Sequence, residues 1–397
     1  QCYAGSTVCA PSRAVLMTGL HTGHVRIRGN AAVPLQPEDV TVAEVLKQAG
    51  YKTGIVGKWG LGLANTPGTP NKQGFDEWFG YLSQTHAHDY YPTQLYRNDL
   101  IFPVETNQAG VKGQYSHDLF SMVASNFVRV NKYQPFFLYL AYTVPHANNE
   151  LGKKTGNGME VPTDSPYSKE NWPQPEKNKA AMITRMDKDV GALLDHLKKL
   201  DIDDLTVIFF SSDNGPHKEG GVDSEFFKSS GPLRGIKRDL YEGGIRVPMI
   251  VRWPDKVKAG TVSDQVWTFW DFLPTAAEIA RTNAPPNIDG ISILPTLLGQ
   301  KQTNQYQFLY WEFHEKGSKQ AVRMGDWKAV RLEPGKPLEL YNLKNDLAET
   351  KNVADKHPDV VEKIEAYLKT ARTESERWRI KTPAQAATEK PDPGEKN

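Results

Sequence analysis

The sequence predicts an α/β protein with a doubly wound, mostly parallel sheet covered by helices on both faces, followed by a small antiparallel-sheet-plus-helix domain. The first observation is that amphipathic helical segments alternate with short apolar runs over the larger part of the chain. The second is that three of these runs end in residues capable of chemistry, at the sheet edge where open α/β sheets bind ligands. The third is a change to shorter alternating runs from about residue 305.

The composition limits the classes of function. A chain of 397 residues with 39% apolar content is long enough for one large domain and a smaller one. A formal net charge of +1 without long basic runs argues against nucleic acid as the partner. No apolar run approaches the ~20 residues of a membrane span. Cys2 and Cys9 are the two cysteines, so we expect no disulfide framework.

The stretch that begins at Cys9 contains the first candidate site. Pro11 suits the first turn of a helix and Gly19 suits its C-terminal cap, so we predict a helix between them that begins at Cys9 to Pro11. A helix N-terminus binds anions, and Arg13 adds a fixed cation one turn further on. The stretch therefore predicts a site for a tetrahedral anion. A cysteine-dependent phosphatase loop is set aside because its arginine lies six positions after the cysteine, where this chain has Val15.

The other elements of the large domain are predicted from apolar spacing and turn residues. We expect helices at 39–50, 116–130, 177–200 and 271–280, and strands at 51–57, 135–144, 205–210 and 247–251. The segment 60–80 is rich in glycine, proline and asparagine, which predicts a loop. The stretch 148–175 has a similar composition, and we expect it to form a long surface insertion that borders a substrate site.

We expect three regions along the chain. Residues 1–304 form the α/β catalytic domain, residues 305–380 form a small C-terminal α+β subdomain, and residues 381–397 form a disordered tail. Within the second region, short alternating runs predict an antiparallel sheet, on which a helix from 358 to about 378 packs.

Residues whose side chains can bind ions or transfer protons lie at the ends of three predicted strands. They are Lys58, His146 and the pair Asp213 and Asn214. Each alone has an ordinary explanation: a surface lysine, a loop histidine and a turn. Because the carboxyl ends of parallel strands meet at one edge of a sheet, their joint placement predicts a shared site.

These motifs resemble those of the formylglycine-dependent sulfatases, in the alkaline-phosphatase-like superfamily. The run Cys9-Ala10-Pro11-Ser12-Arg13 through Thr18-Gly19 is similar to the family's signature. Further landmarks follow in the family's order: Gly57-Lys58-Trp59, Pro145-His146, Ser212-Asp213-Asn214-Gly215, Gly235-Ile236-Lys237, Tyr241-Glu242-Gly243-Gly244-Ile245-Arg246-Val247-Pro248 and Glu339-Leu340-Tyr341-Asn342-Leu343. The glycine variant after Lys58-Trp59 and the histidine loop at 86–92 resemble bacterial carbohydrate sulfatases. The resemblance covers nearly the whole chain.

The resemblance implies hydrolysis of a carbohydrate sulfate monoester, with a 4-O-sulfated galactose-type sugar as the narrower expectation. A formylglycine-generating maturation enzyme would convert Cys9 into formylglycine, whose hydrate would attack sulfur and form a covalent sulfate hemiacetal. Arg13, Lys58 and Lys237 would neutralise sulfate oxygens. His146, together with Lys237, would protonate the leaving alcohol.

The resemblance also implies a metal site. Asp213, Asn214 and the oxidised Cys9 would bind a divalent cation, Ca²⁺ in preference to Mg²⁺. The family's paired aspartates lie some tens of residues before the signature cysteine, whereas this chain starts eight residues before Cys9. We therefore expect the first strand and those ligands to lie outside this N-terminally truncated sequence. Export to the periplasm or the extracellular space is implied by the family, although the signal region is absent from this chain.

Gly60 departs from the family, because most relatives have there a histidine that orients formylglycine. His86, His88 and His217 are the candidates to replace it and to contact the substrate. A zinc site at His86 and His88 is an alternative, because alternating positions on an extended segment put both rings on one side. The next two positions of the common dinuclear pattern, an aspartate and a histidine, are however tyrosines in this chain.

Two other functions fit the sequence. A formylglycine-dependent phosphonate monoester or phosphodiester hydrolase would share the nucleophile and the cations. A catalytically weak or inactive sulfated-glycan-binding homologue would account for Gly60 and for the missing aspartates. Rates on aryl sulfates and aryl phosphodiesters distinguish the first rival, and sulfate release by the full-length protein distinguishes the second.

Overall fold

The computed structural model describes residues 1–388. The strands are β1 Cys2–Tyr3, β2 Lys52–Lys58, β3 Glu77–Tyr81, β4 Gln94–Arg97, β5 Leu100–Pro103, β6 Phe136–Ala141, β7 Ile208–Ser211, β8 Arg246–Val247, β9 Met249–Arg252, β10 Trp267–Thr268, β11 Leu309–Phe313, β12 Lys319–Met324, β13 Trp327–Arg331 and β14 Glu339–Asn342. The helices are α1 Cys9–Thr18, α2 Val42–Gln48, α3 Ser116–Asn131, α4 Asn149–Thr155, α5 Gln174–Lys199, α6 Glu242–Ile245, α7 Phe272–Ile279, α8 Leu294–Leu297, α9 Pro358–Leu368 and α10 Pro383–Thr388.

The largest sheet has five strands in the order β5-β4-β3-β2-β6. Strand β2 is parallel to both β3 and β6, and the hairpin β4–β5 adds an antiparallel edge. Successive side chains of a strand point to opposite faces. Ile55 accordingly belongs to the core that contains α2, and Val56 belongs to the core that contains Phe120 of α3. The sheet therefore has helices on both faces.

Two predictions about the sheet are wrong. The expected loop 60–80 contains the start of β3. The short aromatic run from Glu77 was overlooked because it directly follows turns rich in glycine and proline. The sheet is also less parallel than predicted, since β7 and β9 pair antiparallel with each other. Within residues 1–388, parallel pairing occurs between β2 and β3, between β2 and β6, and between β1 and β10.

The helices near the site begin where the local sequence caps them. Helix α1 starts at Cys9 and ends at Gly19 with a left-handed backbone (φ 71°), as predicted. Helix α2 starts three residues later than predicted, because Thr41 forms a capping box with Glu44. Helix α5 begins at Gln174, close to the predicted start.

The C-terminal region contains the expected antiparallel sheet, with strand order β11-β12-β13-β14, and α9 packs against it. Helix α9 ends at Leu368, about ten residues before the predicted end. The tail was expected to be disordered, but its first part forms α10 and Lys381 exchanges two hydrogen bonds with Ser318. Residues 389–397 lie outside the described residues. Trp311 Nε1 donates to Ala4 O, so the C-terminal sheet shares a core with the first strand.

A cavity of about 1560 Å³ separates β6 from β7. Among the described residues, β6 pairs only with β2 and β7 pairs only with β9, so each strand has one open edge at this cavity. Apolar side chains of α5 and α7, such as Met186 and Phe272, line its two sides. The side chains of β6 are therefore half-exposed although the run Phe136–Ala141 is almost wholly apolar. One end of the cavity reaches Cys9 and Asp213.

In the described part of the chain, no helix combines the length and the apolar character needed to cross a membrane.

Candidate active site

The start of α1 and the end of β2 form the first half of the site. Cys9 is buried at the first position of the helix, and Ala10 N donates to Asn30 Oδ1 at 3.0 Å. Arg13 lies one turn further on, where its Nη1 donates to Lys58 O at 2.7 Å and its Nη2 lies 3.1 Å from Asp213 Oδ2. The guanidinium thus ties the helix to the ends of β2 and β7.

Lys58 is buried at the centre of this group. Burial lowers the pKa of Lys58, and the charges of Arg13 and Lys237 lower it further, while Cys9 and Asp213 oppose the shift. Burial also lowers the pKa of Arg13, but Tyr139, Asp213 and Cys9 outweigh it, so the pKa of Arg13 is raised overall. The structure therefore brings together Cys9, Arg13, Lys58, Lys237 and Asp213.

The turn after β7 provides oxygen donors for a cation. Asp213 accepts hydrogen bonds from Arg13, and its side chain is 25% exposed. Asn214 Nδ2 donates to Gly215 O, whereas Asn214 Oδ1 is buried and has no hydrogen-bond partner. An unpartnered buried carbonyl oxygen is costly unless a ligand occupies it. A carboxylate beside such an oxygen suits a hard divalent cation.

His146 follows β6 and contacts Lys237. His146 Nδ1 lies 2.8 Å from Ala147 O, and because a carbonyl only accepts, Nδ1 carries the ring proton. Lys237 Nζ lies 3.2 Å from Nε2, which accepts the bond. Burial lowers the pKa of His146 well below its ordinary value, and Lys237, Lys58, His88 and His217 add to that shift. The ring is therefore neutral, and the proton between the two side chains is on Lys237.

Two of the three other predicted histidines join this group. The ring of His88 stacks on His146 with centroids 5.0 Å apart, and its Nδ1 lies 3.1 Å from a Glu150 oxygen. The ring of His217 lies 5.7 Å from that of His146, and its Nε2 donates to Pro145 O. Burial is the main cause that lowers the pKa of both His88 and His217.

His86 does not join them. The segment His86–His88 is a 3-10 turn and not the extended segment that the zinc alternative requires. Its two imidazoles therefore point in different directions, and the ring of His86 packs edge-on against Tyr81 with centroids 4.9 Å apart. The predicted zinc pair and the substrate contact of His86 have no support in this geometry.

Gly60, where the family has a histidine, has a left-handed backbone (φ 78°). A Cβ at this position would lie 2.1 Å from Gln84 Nε2, so the Gln84 side chain occupies the space that a larger residue would need. Gln84 Nε2 donates to Gly60 O at 3.4 Å. Gln84 was missed: it lies two residues before the candidate His86, but its own residue type gives no signal of a contact with Gly60.

Glu219 was also missed. It lies in the polar loop between β7 and α6, outside every motif, and accepts hydrogen bonds from both Lys237 and Arg238. Proximity in the sequence to Asp213 and Lys237 is the one signal that pointed to it. The loop carries several other charged residues, so that signal is weak.

A second group of possible metal ligands lies at the other end of α1. His21, His24 and Asp289 have ligand atoms within 4.8 Å of one another. Gly23 N donates to His21 Nδ1, and Asp289 accepts from His21 N and pairs with His24 Nδ1. Since Nδ1 of His21 is an acceptor, its Nε2 carries the proton and cannot bind a metal without a change of tautomer. We interpret this group as a structural tie between α1 and the segment at Asp289.

Comparison with known proteins defines the class of the molecule. The family model described as Sulfatase matches residues 1–282. A second, described as N-sulphoglucosamine sulphohydrolase, C-terminal, matches residues 236–375. The first match covers most of the chain, and the chain belongs to the sulfatase family.

Individual relatives agree with this assignment. An arylsulfatase of Hemicentrotus pulcherrimus is 31% identical over 82% of this chain, which spans 59% of that protein's length. An N-acetylgalactosamine-6-O-sulfatase of Bacteroides thetaiotaomicron is 26% identical, with 94% of this chain and 85% of that protein covered. The solved structure of Ps i-CgsB in complex with k-i-k-neocarrahexaose has a TM-score of 0.80 and 29% identity, covering 93% of this chain and 83% of its own.

Proposed function

We propose that this protein is a carbohydrate sulfatase, which hydrolyses sulfate monoesters. The observation that carries the proposal is the convergence of three buried cationic side chains, Arg13, Lys58 and Lys237, around Cys9 at the start of α1. Fixed buried cations stabilise a group whose oxygens share negative charge while it is transferred. Membership of the sulfatase family supports sulfate as that group.

Cys9 is the precursor of the nucleophile in this proposal. A maturation enzyme converts it into formylglycine, and the hydrated aldehyde supplies the oxygen that attacks sulfur. Arg13 holds a sulfate oxygen from the first turn of α1, and its bonds to Lys58 O and Asp213 keep the guanidinium in one orientation. Lys58 balances the charge of a second oxygen from the end of β2.

Asp213 and Asn214 would hold the divalent cation, and Ca²⁺ would suit their oxygen donors better than Mg²⁺, which keeps more of its water. When bound, the cation would supply positive charge to the site. The buried, unpartnered Asn214 Oδ1 supports this assignment. Two side chains are fewer than the roughly six to eight ligands of Ca²⁺. The cavity between β6 and β7 ends at this turn, so Asp213 and Asn214 face open space.

The leaving alcohol needs a proton when the ester bond breaks. Lys237 Nζ carries that proton, because His146 Nε2 already accepts a hydrogen bond from it and Nδ1 of the same ring donates to Ala147 O. His146 therefore orients the ammonium by accepting one of its hydrogen bonds, and the two side chains act as a pair.

The substrate is a sulfated sugar. His88 stacks on His146 with its Nδ1 at Glu150, so Nε2 is the nitrogen that could contact a sugar hydroxyl group, which supports a polar substrate. Both ring nitrogens of His217 are bonded to the backbone, at Pro145 O and Glu219 N. His217 therefore shapes the pocket beside His146. The names of two relatives, N-acetylgalactosamine-6-O-sulfatase and a complex with k-i-k-neocarrahexaose, support a carbohydrate. The narrower expectation of sulfate at O4 of a galactose-type sugar stays a prediction, and so does export from the cytoplasm.

Sulfate release by the protein, produced together with a formylglycine-generating enzyme, tests the proposal. Galactose-type sugars sulfated at O4 or at O6 and a nitrophenyl sulfate serve as substrates, and a bis-nitrophenyl phosphate serves as the comparison. We expect release from sulfated sugars and a preference for the sulfate over the phosphodiester. A large preference for the phosphodiester would favour the related hydrolase, and no release from any ester would favour a glycan-binding homologue.

A further inference from the structure

Glu219 places a carboxylate among the cations of the site. Glu219 Oε2 accepts a hydrogen bond of 2.8 Å from Lys237 Nζ, and Oε1 accepts one of 2.5 Å from Arg238 Nη1. Its Oε2 also lies 3.8 Å from His146 Nε2. A carboxylate repels an anionic substrate, so the position of Glu219 in a site for an anion requires a separate explanation.

The carboxylate is ionised. Burial raises the pKa of Glu219, but Lys237 and Arg238 outweigh burial and lower that pKa to about 2. Arg238 in turn pairs with Glu315, which reaches it from the loop after β11. The backbone of Arg238 is fixed as well, since its N–H donates to Thr7 Oγ1 at 2.8 Å. Glu219 therefore bonds to Lys237 from a rigid position.

Lys237 has one N–H left for a substrate. Its side chain is 4% exposed, and two of its three ammonium protons are directed at Glu219 Oε2 and His146 Nε2. These two hydrogen bonds restrict the direction in which the third N–H of the ammonium can point. The Lys237 ammonium is thus held on one side by an anion and on the other by a neutral ring.

The charged and titratable groups around this pair come from several elements. Lys58 faces Lys237 from β2, and His88 and His217 face His146. Arg238 and Glu315 lie on the far side of Glu219, and Lys179 of α5 acts on His217. Cys9, Arg13 and Asp213 surround Lys58 on the other side. Within residues 1–388, Glu219 is the carboxylate that pairs directly with Lys237 Nζ. Removal of its charge would therefore leave the ammonium beside Lys58 and Arg238 without a hydrogen-bonded anionic partner.

We propose that Glu219 is a positioning residue for the proton donor of the reaction, which holds the Lys237 ammonium in place and balances its charge. This inference rests on the proposed sulfatase function. When the bond between sulfur and the leaving oxygen breaks, its electron pair goes to that oxygen, which takes a proton from Lys237 Nζ. The resulting amine regains a proton from water before the next turnover.

The test is Glu219→Gln, which preserves the size of the side chain and removes its charge. We expect kcat to fall about 10²-fold on a sulfated sugar, whose alcohol needs a proton, and only a few-fold on nitrophenyl sulfate. The alkaline limb of the kcat profile should move to lower pH, because an ammonium beside two cations releases its proton more easily. Glu219→Asp should restore part of both effects.

Glu315→Gln is the matched control, since it removes a carboxylate from Arg238 without a contact to Lys237. It should leave the pH profile and the leaving-group dependence unchanged. Equal slowing of both substrates by Glu219→Gln, with an unmoved alkaline limb and an unchanged melting temperature, would contradict the inference. Unaltered protein that releases no sulfate from any ester would contradict the proposed function itself, and the inference with it.

Discussion

The proposed anion-binding side of this site, formed by Arg13, Lys58 and Lys237, and its proposed metal-binding side, formed by Asp213 and Asn214, differ in how firmly the described residues hold them. Arg13, Lys58 and Lys237 are buried, and the side chains of Arg13 and Lys237 are bonded to defined partners. Asp213, in contrast, is 25% exposed, and Asn214 has a buried oxygen without a partner at the end of an open cavity. The difference teaches that the cations are positioned by local packing, whereas the proposed metal ligands lie at the open cavity between β6 and β7.

The largest expected effect concerns the anion-binding side. Cys9→Ala removes the precursor of the nucleophile and should lower turnover by about 10⁴-fold or more, because the remaining groups only bind and polarise the ester. The fold should be preserved, since alanine fits a buried helix start. Sulfate release and circular dichroism check both statements. Cys2→Ala, at the other buried cysteine, should retain activity, and an active Cys9→Ala protein would refute the assignment of the nucleophile.

The metal-binding side should respond in a different way. Asn214→Ala removes an oxygen donor, so we expect activity at limiting Ca²⁺ to fall about 10²-fold and to recover in part as Ca²⁺ is raised. A chelator should abolish activity of the unaltered protein. The melting temperature without metal should change little, because the substitution removes an unsatisfied buried oxygen together with the bond from Nδ2 to Gly215 O. Loss of activity that Ca²⁺ does not restore would argue against a role as a metal ligand.

The proton donor pair should show a smaller, substrate-dependent effect. His146→Ala should slow sulfated sugars about 10²-fold and nitrophenyl sulfate far less, because only the sugar alcohol needs a proton. Lys237→Ala should slow both, since Lys237 also neutralises the sulfate group. Steady-state rates on the two substrates separate these patterns. Equal slowing of both substrates by His146→Ala would exclude its part in proton delivery.

The sequence named candidates for the proposed anion-binding side more readily than it predicted the pairing of the strands. The residues of that side belong to short motifs whose local geometry is fixed by a helix start or a strand end, as at Cys9 and Lys58. The antiparallel pairing of β7 with β9 was missed, because the two strands are far apart in the sequence and local patterns do not specify the direction of their pairing. Glu219 was missed for a similar reason: only the fold brings it to Lys237.

The smallest effect concerns stability, away from the site. Burial is the main cause that lowers the pKa of His21 from 6.5 to about 4. Between about pH 4 and pH 6.5, His21 therefore binds a proton in the unfolded chain but not in the folded chain. The contribution of His21 to stability is fully present above about pH 6.5 and is lost as the pH falls through about 4, a loss on the order of 2–3 kcal/mol. Urea titrations of the unaltered protein and of His21→Gln check this, and equal pH slopes would contradict it.

Peptide mass spectrometry of residue 9 tests the central claim most directly. In active protein produced with a formylglycine-generating enzyme, we predict that this residue is about 18 mass units lighter than cysteine, the change expected for conversion to formylglycine. An active protein with an unmodified Cys9 in all its molecules would contradict the account.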